Sequence, residues 1–313
     1  MQTCDTILAD LSIPHETDAP LGPLTWYGVG GPARVLAHPS SVAQLAHLAA
    51  RCQVRGAAVY VLGSGANLLV RDDGVDGVVV RLDNPSFAQL RIEGTIVTAG
   101  AGFDLFKLVL ESARAGLAGL EVVAGIPASV GGAVRMNAGG TYGEIGSSVR
   151  RVAVMSDKGQ VYYRGRDDLV FGYRRSNIVA PFILEVEFEL IEDDPERVMR
   201  RVKEIFLYKR NTQPMADKSA GCAFKNPTGP ASLDPGQVDP SGPDPQLAGS
   251  LIDQAGLKGL RLGGAEVSPK HANFIITHPN CTCGDILALI ERVQQTVRDR
   301  FNIELEPEVV IWP

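Results

Sequence analysis

Residues 116–146, GLAGLEVVAGIPASVGGAVRMNAGGTYGEIG, decide the fold of this chain. The stretch is rich in glycine and carries almost no charge. Each interior glycine weakens a helix by about 1 kcal/mol relative to alanine, so we do not expect a regular helix here. Its apolar residues, among them Leu120, Val123 and Val130, are too numerous for an exposed linker. We therefore predict a buried surface lined by main chain, which another group can approach closely. A large, flat, polyanionic cofactor fits such a surface.

A second glycine loop lies upstream, where a predicted strand at 58–62 continues into GSGANLLV. Successive backbone N–H groups in such a loop can form a concave nest for phosphate oxygens. The Ser64 hydroxyl and the Asn67 amide offer further donors. The loop lacks the third glycine of the Rossmann pattern and the Gly-Lys-Ser/Thr ending of a P-loop. Taken alone, a tight turn explains it equally well.

Composition excludes several classes of function. The chain has 313 residues, enough for two or three domains, and a net charge of −6 without a basic run, which argues against a nucleic-acid partner. No apolar run reaches the length of a spanning helix, and the N-terminus has no basic region typical of a signal peptide. The five cysteines are scattered, which favours free thiols in a reducing compartment. We expect a cytoplasmic, monomeric protein with no membrane partner.

Periodicity predicts a mixed α+β chain without internal repeats. Residues 1–22 read as a short helix and polar lead-in, and 77–100 as short antiparallel strands. Residues 228–245 are dominated by Pro, Gly, Asp and Ser, and we expect an exposed, mobile insertion without chemistry. Helices are predicted at 42–55, 103–115, 195–209, 247–255 and 284–301, and strands at 33–37, 58–62, 151–163 (a hairpin), 182–190, 271–278 and the C-terminus.

Six segments, in order from Thr25 to the end, together resemble one family. They are LGSGANLLV, GIPASVGGAVRMNAGGTYGEIG, FGYRRS, SAGCAFKNP, LIDQAGLKGLRLGGAEVSPKHANFI and LEPEVVI. Their combination resembles the UDP-N-acetylenolpyruvoylglucosamine reductases of bacterial peptidoglycan synthesis. The short connection between Arg174 and the strand at Phe182 is similar to the type II branch, which lacks the extra tyrosine-bearing loop of type I.

The resemblance implies an FAD-binding module of the vanillyl-alcohol-oxidase type at 23–192, made of α+β subdomains at 23–75 and 76–192. An α+β substrate-binding domain follows at 193–313. In the implied reaction, NADPH reduces FAD, and the hydride then reaches the enolpyruvyl β-carbon of UDP-N-acetylglucosamine-enolpyruvate to give UDP-N-acetylmuramate. The two glycine loops would bind FAD through Gly63, Ser64, Gly65, Ala66, Asn67, Leu68, Gly125, Ile126, Pro127, Ser129, Val130, Gly131, Gly132, Ala133 and Asn137.

Three catalytic residues follow from motif position. Arg174 corresponds to the arginine of the family, and its permanent charge suits the negative charge that develops beside the substrate carboxylate. Cys222 stands where the family has a serine that protonates the α-carbon; a thiol, with an unperturbed pKa of about 8.5, is the stronger acid. Glu308 corresponds to the glutamate that supports the enolic intermediate. A surface ion pair at Arg174 and a buried structural cysteine at Cys222 remain the alternatives for these residue types.

Other assignments are weaker. A diphosphate needs cations and amides, so Tyr173, Arg210, Lys218, Asn226, Lys270 and His271 are candidate substrate ligands, although any of the lysines could simply be solvated. Trp26 or Tyr27 could stack on the flavin or merely pack. HPNCTC, residues 278–283, offers only three metal ligands at non-standard spacing, and we expect no metal there.

Two other functions remain open. Another FAD enzyme of the same superfamily, such as an oxidase with histidine-tethered flavin, would leave the C-terminal motifs unexplained, and neither glycine loop contains a histidine. A non-catalytic flavin- or nucleotide-sugar-binding protein is supported only by the cysteine at position 222.

Overall fold

The structure is a computed structural model that describes residues 7, 8, 10–227 and 247–313. The predicted insertion at 228–245 lies outside the described residues. Contacts divide the chain into two compact units that interleave along the sequence. The first comprises the described residues up to Ala19 with Ala33–Ser64 and Val75–Tyr208. The second comprises Pro20–Pro32, Gly65–Gly74 and the described part of Lys209–Pro313.

Helices and strands alternate irregularly, as expected for an α+β protein. The helices are α1 Val42–Arg55, α2 Leu105–Arg114, α3 Val130–Arg135, α4 Pro195–Thr212, α5 Ala248–Gln254 and α6 Cys283–Phe301. The longer strands are β1 His15–Pro20, β2 Pro32–Ala37, β3 Val59–Leu62, β4 Leu68–Val70, β5 Val75–Arg81, β6 Leu90–Glu93 and β7 Ile96–Gly100, followed by the two-residue strands β8 Leu117–Ala118, β9 Gly139–Gly140 and β10 Gly143–Glu144. The remaining strands are β11 Val149–Met155, β12 Val161–Gly165, β13 Phe171–Gly172, β14 Arg175–Ser176, β15 Phe182–Glu189, β16 Ile191–Glu192, β17 Arg261–Leu262, β18 Ala265–Val267, β19 Ile275–Thr277 and β20 Val310–Trp312.

The first unit contains a four-stranded sheet in the order β1-β2-β5-β3. Strand β5 pairs in parallel with both β2 and β3, so the prediction that 77–100 is antiparallel throughout was wrong for its first strand. Val78, Val79 and Val80 are all fully buried, and such a continuous apolar run is typical of a strand covered on both faces. Within the predicted lead-in 1–22, residues 15–20 form strand β1, which is mostly exposed. Most of the segment before it, where a short helix is predicted, lies outside the described residues.

A five-stranded antiparallel sheet, β12-β11-β15-β7-β6, forms the other half of the first unit. The predicted hairpin at 151–163 is present as β11 and β12, and Gly159 takes the left-handed conformation in its turn (φ 77°). Val152, Val186 and Phe188 have no exposed surface and form one face of the sheet. This face packs into the hydrophobic core of the unit, together with helices α2 and α3.

The second unit has its own hydrophobic core around α6 and a small antiparallel sheet, β17-β18-β19. Helix α6 confirms the helix predicted at 284–301. A capping box between Thr282 and Asp285 begins it, and Asp72 accepts hydrogen bonds from the next two N–H groups, Cys283 (2.9 Å) and Gly284 (3.1 Å). Strand β4 pairs in parallel with the C-terminal strand β20. Among the described residues, no helix has the length and apolarity needed to cross a membrane.

Candidate active site

A short helix, α3, interrupts the glycine-rich stretch, where the sequence predicts none. Ser129 caps it, because its hydroxyl accepts a hydrogen bond from Gly132 N–H (3.3 Å). The N–H groups of Val130 and Gly131 bond to main-chain carbonyls outside the stretch (2.9 and 2.8 Å). A Cβ on Gly131 would lie 2.9 Å from that of Ala101, so glycine is needed for this packing. Tertiary contacts thus override the low helix propensity.

The structure brings the two predicted cofactor loops together within the first unit. A Cβ built on Gly63 would lie 2.5 Å from Ser129 Oγ, so a side chain at position 63 would displace the hydroxyl that caps α3. Gly125 adopts a left-handed conformation (φ 74°) just before the exposed Pro127. Gly132, at the start of α3, is exposed as well. The result is a surface of main-chain groups and small side chains, which suits close approach by a planar or anionic group.

The rest of the first loop belongs to the second unit. Gly65 has φ 68°, and a Cβ there would overlap the carbonyl oxygen of Leu24. Trp26 N–H also donates to the Gly65 carbonyl (3.0 Å). This glycine is therefore required by the protein's own chain, in addition to any role toward a ligand. Asn67 donates from Nδ2 to the Glu308 carbonyl (3.3 Å).

Asn137, another predicted FAD residue, lies in a buried network of the first unit. Its Nδ2 donates to Glu144 Oε2 (2.6 Å) and the Gly172 carbonyl (3.0 Å), and its Oδ1 accepts from Gly146 N–H (3.0 Å). The side chain is fully buried and φ is 47°. The side-chain NH₂ group of Asn137 therefore donates to groups of the protein itself, Glu144 and Gly172.

Arg174 occupies the tight turn that joins β13 and β14. Its φ of 55° is left-handed, a conformation that a non-glycine residue rarely adopts and that clusters at functional sites. The guanidinium carbon lies 4.9 Å from the ring centroid of Tyr173, which is exposed. The turn presents a half-buried, permanently charged donor beside an aromatic ring.

Sequence reasoning missed Arg135, which supports this turn. Its guanidinium donates to the carbonyls of Ile178 (2.7 Å), Ala180 (2.8 Å) and Pro181 (2.9 Å), and its own carbonyl accepts from Ser176 Oγ (2.8 Å). Burial lowers the pKa of Arg135. The signal available in the sequence was a single arginine in an otherwise apolar, glycine-rich stretch.

Cys222 and Glu308 lie on neighbouring segments of the second unit. Cys222 forms an isolated bridge with Phe274, and the next residue, Ala223, accepts a hydrogen bond from Glu308 N–H (2.8 Å). Both Cys222 and Glu308 are half-buried. Glu306, in contrast, is exposed and pairs with Lys225, which separates the roles of the two glutamates. The structure thus brings a thiol and a carboxylate-bearing residue into one region.

Asn273, also missed from the sequence, holds the cysteine-bearing segment in place. Its Oδ1 accepts from Phe224 N–H (2.9 Å), its Nδ2 donates to the Phe224 carbonyl (2.8 Å), and its own carbonyl accepts from Ala223 N–H (2.7 Å). The HANF sequence resembled the start of a strand, but 271–274 form a turn, in which Phe274 N–H bonds the His271 carbonyl (3.0 Å).

Three of the candidate substrate ligands make bonds that shape the fold. Asn226 Oδ1 accepts from Ala248 N–H at the start of α5 (3.1 Å), and Lys270 Nζ donates to the Arg210 carbonyl (2.6 Å). His271 Nδ1 accepts from Asn273 N–H (3.2 Å), and burial lowers the pKa of its imidazole. The other three candidates, Tyr173, Arg210 and Lys218, are exposed.

The HPNCTC segment has ordinary structural partners. His278 Nε2 lies 2.6 Å from Glu266 Oε2. Burial raises the pKa of the Cys281 and Cys283 thiols to about 11, which disfavours the thiolate that binds metals. No group of three or more metal-ligating side chains is found in the described part of the chain. Tyr27, offered as a flavin-stacking residue, is buried in the core of the second unit, whereas Trp26 is exposed.

Comparison with known proteins shows the family of this chain. Residues 33–163 match the FAD binding domain family, and residues 213–312 match the C-terminal domain of UDP-N-acetylenolpyruvoylglucosamine reductase. A reductase of that name from Desulfosudis oleivorans is 42% identical over 94% of this chain and 93% of its own, and one from Heliobacterium modesticaldum is 40% identical over 93% and 88%. The crystal structure of the Thermus caldophilus enzyme covers 96% of this chain and 99% of its own, with 38% identity and a TM-score of 0.78. This chain belongs to the UDP-N-acetylenolpyruvoylglucosamine reductase family.

Proposed function

We propose that this protein is an FAD-dependent oxidoreductase that reduces UDP-N-acetylglucosamine-enolpyruvate to UDP-N-acetylmuramate with NADPH. The identity of about two-fifths to reductases of this name, over nearly the whole of both chains, carries the proposal. The product serves peptidoglycan synthesis and through it cell shape and division. We further propose a cytoplasmic monomer, with residues 23–192 binding FAD and 193–313 binding the nucleotide sugar.

The first unit fits FAD in its main-chain chemistry. Gly63 lies against the Ser129 hydroxyl, and the exposed Gly132 leaves main chain accessible beside that hydroxyl. The first N–H groups of α3 bond within the protein, but the Ser129 hydroxyl, which accepts from Gly132 N–H, still has its own proton to donate to a diphosphate oxygen. When bound, FAD supplies the hydride transfer from NADPH to the substrate.

We assign Arg174 to the carboxylate of the enolpyruvyl group. Addition of hydride at the β-carbon places negative charge on the α-carbon and the carboxylate, and a guanidinium can meet that carboxylate through two hydrogen bonds. Its left-handed backbone (φ 55°) supports the proposal, as does the hydroxyl of Ser176 in β14, which donates to the Arg135 carbonyl and ties the hairpin to α3.

We assign Cys222 to protonation of the α-carbon. The thiol gives its proton as the new C–H bond forms, and solvent returns a proton to the resulting thiolate. The neighbouring chain at Ala223 and Phe224 is fixed by Asn273, which keeps the thiol in one position. Glu308 supports the enolic intermediate from the adjacent segment. Glu306, the other glutamate of this motif, forms an ion pair with Lys225, which supports the assignment of this role to Glu308.

Anaerobic stopped-flow absorbance at the flavin band tests the proposal. We expect NADPH to bleach the flavin, and UDP-N-acetylglucosamine-enolpyruvate to restore it with release of UDP-N-acetylmuramate. Flavin that is bleached but restored only by oxygen would favour an oxidase. Flavin that binds but never reacts would favour a binding protein, and absence of bound flavin would refute the interpretation of the glycine-rich surface.

Variants at position 222 test the proton donor. Loss of a general acid typically lowers rate by about 10²–10⁴-fold, so Cys222→Ala should re-oxidise slowly with substrate while its reduction by NADPH is unchanged. Cys222→Ser, which restores the residue of the family, should recover most of the rate. Cys281→Ala is the matched control, since it removes a half-buried thiol of the same unit. Equal rates for Cys222→Ala and the control would remove Cys222 from the mechanism.

A further inference from the structure

Asn67 links three segments of the second unit that carry predicted site residues. Its side-chain Nδ2 donates to the Glu308 carbonyl (3.3 Å), and its main-chain carbonyl accepts from Val310 N–H (3.1 Å). Glu308 N–H in turn donates to the carbonyl of Ala223 (2.8 Å), the neighbour of Cys222. The chain of contacts therefore runs from the first glycine loop to the thiol.

These contacts restrain the backbone of Glu308 on both sides. Its N–H and its carbonyl each have a fixed partner, Ala223 and Asn67. The next residue, Val309, is 5% exposed and packs in the core of the unit. Because the backbone on either side of its Cα is held, the direction in which the Glu308 side chain leaves the chain is held as well.

The side chain of Asn67 extends the pairing of β4 and β20 by one hydrogen bond. The parallel pairing of β4 with β20 begins only at Leu68 and Val310, and comprises three residue pairs. The Asn67 amide adds one hydrogen bond beyond that ladder, to the carbonyl of Glu308. Glu308 is the residue whose side chain must be oriented for the proposed reaction. The ends of a short strand pair open more easily than its middle, so a hydrogen bond at the end restrains the backbone of Glu308 where it is otherwise most mobile.

We infer that Asn67 is a positioning residue for the reaction: its amide holds the Glu308 backbone, and with it the Glu308 side chain, in the orientation that supports the enolic intermediate. This inference rests on the proposed function. It goes beyond a role of Asn67 as a ligand of the flavin diphosphate, because it places the effect of the residue on the substrate side of the reaction.

The two half-reactions separate these roles. Misplacing reacting groups by about 1 Å can lower rate by about 100-fold, so Asn67→Ala should slow re-oxidation of reduced flavin by UDP-N-acetylglucosamine-enolpyruvate by about 10–100-fold. Measured at saturating FAD, the rate of reduction by NADPH should fall much less than the rate of re-oxidation. Loss of FAD affinity and slower reduction, with re-oxidation unchanged at saturating FAD, would overturn the inference and leave Asn67 as a flavin ligand.

A double-mutant cycle measures the coupling between Asn67 and Glu308, which a general loss of stability would not produce. If Asn67 acts through Glu308, Asn67→Ala should have no further effect on re-oxidation in a Glu308→Gln background, because the two changes remove the same function. Additive losses in the double variant would refute coupling. Gln294→Ala is the matched control: it removes an amide bond to the Leu305 carbonyl (2.8 Å) on the same C-terminal segment and should leave re-oxidation unchanged.

Two precautions keep the result decisive. If Asn67→Ala does not fold, as judged by circular dichroism, Asn67→Gln retains an amide but displaces it by one methylene, and it should give the same selective loss. A wild-type enzyme whose flavin is reduced by NADPH but never re-oxidised by the enolpyruvyl substrate would refute the proposed function, and this inference with it. Normal wild-type turnover with an unaffected Asn67 variant would refute this inference alone.

Discussion

Replacement of Asn273 by alanine should be among the most destabilising single changes in the second unit. Asn273 is 4% exposed, and its amide satisfies both the N–H and the carbonyl of Phe224, which is 1% exposed. Alanine leaves two buried backbone groups without these partners. Each such group costs about 1–3 kcal/mol, so the variant should lose about 2–6 kcal/mol of unfolding free energy. That is a large part of the 5–15 kcal/mol, roughly, that stabilises a typical protein.

Urea unfolding followed by circular dichroism measures this loss. Asn84→Ala is the matched control, because it also removes an asparagine acceptor from a backbone N–H (Ser86, 3.1 Å), but at an exposed turn. We expect the control to lose less than about 1 kcal/mol. A loss below about 1 kcal/mol for Asn273→Ala, at an unchanged denaturant dependence, would show that water or another group replaces the amide.

Three further outcomes are expected. Gly65→Ala should destabilise the protein by at least about 1 kcal/mol in urea unfolding, because position 65 has φ 68° and a Cβ there overlaps a main-chain carbonyl; an unchanged midpoint would contradict this. Hydrogen bonds from Gly264 N–H and Thr282 N–H lower the pKa of Asp285, so its contribution to stability is present above the pKa of the unfolded state and is lost as pH falls through the lower folded pKa. Asp285→Asn should therefore flatten the fall in stability below about pH 4, and identical acid profiles for variant and wild type would argue against it. Cys283 is 1% exposed with its pKa raised to about 11, so its thiol should resist iodoacetamide at neutral pH and react in urea; mass spectrometry that finds it alkylated in the folded protein would refute this.

Local patterns in the sequence were sufficient to predict several helices and strands. Helix α1 spans Val42–Arg55, as predicted, because a serine cap at Ser41 and a 3.6-residue apolar period lie within one segment. The hairpin around Gly159 was predicted for the same reason, since its turn residue and both strands are neighbours in the chain. The C-terminal helix α6 carried both its cap and its period locally.

The motifs also determined the family and the candidate residues Arg174, Cys222 and Glu308, because residues that carry chemistry recur in recognisable order. What they could not determine was the partner of each segment. β5 is parallel because it lies between β2 and β3, and α3 forms because main-chain groups outside the glycine-rich stretch accept its N–H bonds. Such bonds join residues far apart in the chain, and no local pattern records them.

The residues that hold the candidate site in place also differ in what the sequence could predict about them. Arg135 and Asn273 appear in the sequence as ordinary polar residues, and Asn137 only as a candidate flavin ligand; the structure gives each of them two or more specific partners within the protein. Gly65 was predicted from the sequence as a residue that a ligand approaches, and the structure adds a second reason for glycine there, the close carbonyl of Leu24. The sequence by itself determined the secondary structure with local signals, the family and the reactive residue types. The tertiary structure alone decided which strands pair and which side chains hold the reactive residues, because those contacts exist only after distant segments meet.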